Sequence, residues 1–175
     1  FYFQYNESYL LENVKVGEQN LPEYLLELGQ TYDINPLVVL TLIEIQTGKF
    51  NDFELSDSFP ILNRPEPTEQ EQLEATFSEL RQLIDKYQGL NSLGNLPKNK
   101  VKLGENLYQI EADEGGMEIN SASLALLEYI HKYSNTEEEF SYVVTTKPES
   151  SSMSFITNYQ LFFRVEPRAT KYIGM

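Results

Sequence analysis

From Tyr32 to Gly48 the chain reads Tyr-Asp-Ile-Asn-Pro-Leu-Val-Val-Leu-Thr-Leu-Ile-Glu-Ile-Gln-Thr-Gly, and no other stretch constrains the fold as strongly. Asn35 offers a side-chain oxygen to the first free N–H groups of a helix. Pro36 suits the first helical position, and Gly48 takes the left-handed conformation that ends one. The result is an apolar helix with a clear start, a clear stop and a polar residue, Gln46, at its end. The run from Pro36 to Ile45 is shorter than the roughly 18 residues a membrane span needs, and it carries Thr41 and Glu44. This helix therefore belongs to a folded domain, and no membrane insertion is expected.

The chain has 175 residues, enough for one domain with a sizeable core. We read residues 1–175 as a single helical domain, excised from a longer or processed protein because the first residue is Phe1, with residues 1–19 as an N-terminal arm. A formal charge of −14 repels phosphate backbones, so nucleic acid is a poor ligand. The single histidine, His131, and the absence of cysteine leave no multi-histidine or thiolate metal site, and no metal or other cofactor is expected.

Leu21, Tyr24, Leu25 and Leu28 place a helix over about Leu21 to Tyr32, before the opening feature. Residues 50–67 are rich in proline and polar residues and read as an irregular connection. Thr68-Glu69-Gln70-Glu71 is a capping box for a third helix reaching about Tyr87, with Gly89 as its stop. Asn91 to Glu105 reads as a loop. Leu107–Ile110 and Met117–Ile119 suggest one short hairpin around Gly115-Gly116. Asn120 or Ser121 caps a broadly apolar fourth helix through Tyr133. Thr136 caps a fifth that ends at Lys147-Pro148, with Glu137, Glu138 and Glu139 in a first turn that favours negative charge. Met153 to Phe163 forms a sixth. The fold class is mainly α, five or six helices with at most one small β-hairpin and no evident internal repeat.

The run Ile34-Asn35-Pro36, then apolar residues, then Gln46-Thr47-Gly48 resembles the helix of lysozyme-like lytic transglycosylases, where the motif ends in Glu-Ser-Gly and the Glu is the acid that cleaves peptidoglycan. More broadly the chain resembles the helical domain that precedes zinc peptidase domains in bacterial cell-wall hydrolases. Asn120-Ser121-Ala122-Ser123-Leu124-Ala125-Leu126 and the aromatic segment from Ser154 to Phe163 fit its later helices. The resemblance implies a lysozyme-like core, an extracytoplasmic location, peptidoglycan or another glycan as ligand, and a covalently linked catalytic domain as partner. The Gly-Leu-Met-Gln and Tyr-Asn-Ala-Gly segments that shape the transglycosylase groove have no counterpart.

Glycosidic cleavage needs a proton donor with a pKa near the working pH, usually a carboxyl group raised by an apolar pocket. Gln46 has no such proton, whether it arose naturally or as an introduced Glu→Gln change, but its amide can hydrogen-bond a sugar. We therefore assign Gln46 and Thr47 to binding and no residue to catalysis. The carboxylates open to an enzyme reading are Glu44, Asp52 and Glu105. Glu44 is two residues from Gln46, about 200° around the helix, and points away from its face. A plain interaction module without sugar affinity is the remaining alternative. For His131, a surface or capping role outweighs that of a base for Ser121, Ser123 or Ser134, because no nucleophile elbow is present.

Overall fold

The computed structural model describes residues 11–47, 61, 63–109, 120–144, 155 and 159. Among these the fold is mainly helical, with five α-helices, one 3₁₀ turn over Leu11–Asn13 and two small antiparallel sheets of two strands each. β1 (Lys15–Val16) and β2 (Gln19–Asn20) lead into α1 (Leu21–Tyr32) and α2 (Pro36–Thr47). α3 (Glu69–Ser92) is followed by β3 (Lys100–Leu103), β4 (Asn106–Gln109), α4 (Ser121–Tyr133) and α5 (Glu137–Val144).

The helix starts follow local chemistry. Asn20 Oδ1 accepts from Glu23 N at 2.9 Å, Asn35 Oδ1 from Leu37 N at 3.0 Å and Asn120 Oδ1 from Ser123 N at 2.8 Å. Thr68 Oγ1 accepts from Glu71 N at 3.2 Å and donates to the Glu71 carboxylate at 2.8 Å; Thr136 Oγ1 accepts from Glu139 N at 3.0 Å. Each satisfies a backbone donor that the helix itself leaves free. Asp33, at φ 53°, ends α1, and its N–H donates to the Gly29 carbonyl. The chain then turns so tightly that a Cβ on Gly29 would lie 2.8 Å from Ile34 O and 3.0 Å from Pro36 Cδ.

α2 lies within the core. Val38, Val39, Leu40, Thr41, Leu42, Ile43 and Ile45 are all buried, and the Thr41 hydroxyl donates to Leu37 O at 2.8 Å. Full burial of one such aliphatic side chain contributes about 1.5–3 kcal/mol. α1 supplies Leu21, Tyr24, Leu25 and Leu28 to the same core, α3 supplies Leu73, Phe77, Leu80, Ile84 and Tyr87, and α4 supplies Leu124, Ala125, Leu126, Tyr129 and Ile130. Among the described residues the most extensive helix packing is α3 against α4.

Three differences from the sequence expectation have physical causes. First, among the described residues there are two hairpins, one of them largely within the expected arm, while the expected pairing of Leu107–Ile110 with Met117–Ile119 falls on residues outside those described. β3 lies inside the stretch read as loop and pairs with β4, in the register Leu103↔Asn106, Lys102↔Leu107, Val101↔Tyr108 and Lys100↔Gln109. Val14-Lys15-Val16-Gly17-Glu18 and Val101-Lys102-Leu103-Gly104-Glu105 are one repeated pattern. In both, the apolar residues are buried, the lysine is exposed, and the glycine has positive φ, +61° at Gly17 and +58° at Gly104. Glycine first in a two-residue turn is the type II′ arrangement that matches strand twist. The strands are too short for alternation to stand out from loop. Residues 110–119 lie outside the described residues.

Second, α3 continues through Gly89 to Ser92. A Cβ on Gly89 would meet nothing within 4 Å, the Ser92 hydroxyl donates to Gln88 O at 2.8 Å, and Gly94 at φ +72° takes the chain out of the helix. Third, within the stretch read as an arm Leu11, Val14 and Val16 are buried in the core while the residues between and after them are exposed; residues 1–10 lie outside the described residues. Of the expected sixth helix only Phe155 and Tyr159 are described. Both are helical and buried, with ring centroids 6.0 Å apart.

Candidate functional site

The end of α2 is where the chain presents its distinctive polar residues. Gln46 is half-buried in the last turn, after a helix whose preceding residues are nearly all core. Thr47 is the last residue of α2, with its side chain outside the described residues. Glu44 is half-buried, two positions earlier and on another face. Asp52 lies outside the described residues. Glu105 is exposed at the second position of the β3–β4 turn.

Among the described residues the densest polar arrangement lies elsewhere, around Arg64 in the connection before α3. Its side chain is only 4% exposed. Nε and Nη2 donate to the two Glu66 oxygens at 2.8 and 2.5 Å, and Nη1 donates to Glu79 at 2.9 Å and to the Tyr129 hydroxyl at 3.3 Å. The guanidinium also stands 4.6 Å from the Tyr133 ring centroid, a cation–π contact. Glu79 receives two further donors, Lys132 Nζ at 2.5 Å and the Tyr133 hydroxyl at 2.6 Å. Tyr129 Oη and Thr76 Oγ1 are 2.9 Å apart inside the core. Asn63 Nδ2 to Tyr133 O, at 2.7 Å, and Gln72 Nε2 to Glu66 O, at 2.7 Å, tie the same segment to α4 and α3.

A second group joins the β3–β4 hairpin to α4 and α5. The Tyr108 hydroxyl and Asn106 Nδ2 donate to Glu137, the latter at 2.8 Å, and His131 Nε2 is 3.5 Å from the same carboxylate. Tyr108, His131 and Phe140 meet edge to face, with centroids 5.1–5.5 Å apart. Gly104 lets the turn approach the imidazole, since a Cβ there would be 3.1 Å from His131 Cε1. His131 is thus part of a ring cluster and has no serine partner among the described residues. Ser134 donates to Ile130 O at 2.8 Å, while Ser123 Oγ is buried without a hydrogen-bond partner among those residues.

These geometries speak to acid chemistry. The Arg64 hydrogen bonds hold the Glu66 carboxyl below its ordinary value. Burial acts to raise Glu79, but hydrogen bonds from Lys132, Tyr133 and Arg64 outweigh it and leave that carboxyl lowered too. Glu137 is lowered, chiefly by the Tyr108 hydroxyl. A glycosidase acid requires the opposite displacement. Tyr24, Tyr87, Tyr129 and Tyr159 are buried core residues, whereas Tyr32 and Tyr108 are partly exposed.

Neither cluster was legible from spacing. Arg64 sits in a stretch whose prolines signal only irregular chain, and its partners on the helices are 15 and 65 residues away. Among the described residues no helix is long and apolar enough to cross a membrane. Compared with known protein families, curated proteins and solved structures, the chain has no match.

Proposed function

We propose that this is a non-catalytic, lysozyme-like domain of an extracytoplasmic bacterial protein, which binds glycan of the peptidoglycan kind at the C-terminal end of α2 and positions a linked catalytic domain. The observation that carries this reading is Gln46, a half-buried carboxamide at the end of a helix otherwise committed to the core. An amide held in partly desolvated surroundings can both donate to and accept from sugar hydroxyls. It has no proton to give a leaving group.

The test pairs sedimentation with purified peptidoglycan and turbidity of a cell-wall suspension. The protein is expected to co-sediment while turbidity stays constant, and Gln46→Ala should weaken binding by roughly tenfold, the equivalent of one lost hydrogen bond. Turbidity loss that disappears in Glu44→Gln, Asp52→Asn or Glu105→Gln would establish an enzyme instead. Absence of co-sedimentation would leave a protein-interaction module. Gln46→Glu adds a further arm, because a retained groove should regain cleavage and a reassigned one should not.

A further inference from the structure

We propose that the edge of β3 facing away from β4 is a docking edge for an extended acidic peptide segment of a partner protein, which joins the β3–β4 sheet as a third strand. A two-residue hairpin closed by Leu103↔Asn106 exchanges both backbone hydrogen bonds at that pair, and bonded and non-bonded pairs then alternate. Lys100 and Lys102 fall at the non-bonded positions. Their N–H and C=O groups therefore point away from β4. Among the described residues, no backbone hydrogen bond runs from β3 to another element.

The side chains select the occupant. Val101 and Leu103 are buried beneath the sheet, whereas Lys98, Lys100 and Lys102 are exposed. Among the described residues Arg64, Arg81, Lys86 and Lys132 lie in ion pairs, whereas Lys15 in the first hairpin stands by itself and three further lysines stand together at the β3 edge. Lys98, Lys100 and Lys102 have no ion pair among the described residues. Lysines on an edge strand discourage pairing with an identical edge, since a second copy would set lysine against lysine. The same lysines favour a strand with carboxylates at alternate positions, where opposite charges face each other at cross-strand distance. Leu107, 64% exposed opposite Lys102, adds an apolar surface on the outer face of the sheet. Main-chain bonding would provide affinity and the lysines specificity, as in strand addition generally.

The experiment titrates the full ¹⁵N-labelled chain with a peptide of alternating Glu and Val residues. Parallel titrations use the corresponding Lys-Val peptide, the Glu-Val peptide N-methylated at alternate residues, and long-chain inorganic polyphosphate. The expected result is saturable shifts of the Lys100 and Lys102 amides with the Glu-Val peptide alone. Affinity should fall at least roughly tenfold in the Lys100→Glu, Lys102→Glu double variant and on N-methylation. Both substitutions are at exposed positions, and the far-ultraviolet spectrum of the variant should match the parent. No saturable shift, shifts confined to other elements, or equal binding of the N-methylated peptide or polyphosphate would each overturn strand addition.

Discussion

Arg64 Nη1 lies 2.9 Å from Glu79 Oε2 across the junction between the α2–α3 connection and α3, and the guanidinium is nearly closed to solvent. One side chain thus joins the connection to α3, through Glu79, and to α4, through Tyr129. Its planar fork satisfies several acceptors at fixed angles, which a lysine cannot do.

Arg64→Ala should destabilise the fold by about 2–4 kcal/mol, because it removes one partner from a mostly buried charge network and leaves carboxylates short of donors. Arg64→Lys should recover less than half of that loss. Urea denaturation followed by circular dichroism measures both.

The lowered carboxyls of Glu66 and Glu79 give stability an acid dependence. A carboxyl whose folded value is depressed contributes stability that is fully present above its unfolded value, about 4.3, and is lost as pH falls through the folded value. The urea midpoint should therefore fall below pH ~4.5, and it should fall less steeply in Glu79→Gln. Equal slopes for parent and variant would show that Glu79 is not a source.

Two helical glycines should respond in opposite directions. Gly89→Ala fills open space in the interior of α3 and should stabilise by about 0.5–1 kcal/mol through helix propensity. Gly29→Ala gains the same propensity but drives a methyl group to 2.8 Å from Ile34 O, so it should lower the melting temperature. Thermal unfolding of the two variants side by side is the measurement.

Gly104 and Gly94 both have positive φ, yet only Gly104 faces a neighbour, His131 Cε1, at 3.1 Å. Gly94→Ala should cost about 1–2 kcal/mol for the backbone conformation alone, and Gly104→Ala should cost more. Amide exchange should localise the Gly104→Ala effect to β3, β4 and the contact with His131.

A large part of the architecture was legible in the residues themselves. Asn35-Pro36, Thr68 with Glu71, Asn120 and Thr136 act within three or four residues of where they stand, so a helix start can be read without knowing its surroundings. The apolar stripes of α1, α3 and α4 likewise follow from helical periodicity, and their residues are buried as that periodicity requires. Gly89 misled because a glycine stops a helix only where the chain needs its left-handed conformation, and that need arose at Gly94 instead.

By itself the sequence determined a mainly helical chain, a buried apolar helix ending in Gln46, and the absence of a glutamate at that position. Tertiary structure decided the rest: which strand β4 joins, that Arg64 holds Glu66, Glu79 and Tyr129 together, and that His131 faces Glu137 and Tyr108 rather than a serine. The physical reason is range. Capping and periodicity are local and repeat along the chain, whereas a buried ion network exists only once packing has brought distant residues together and removed the water that would otherwise solvate them.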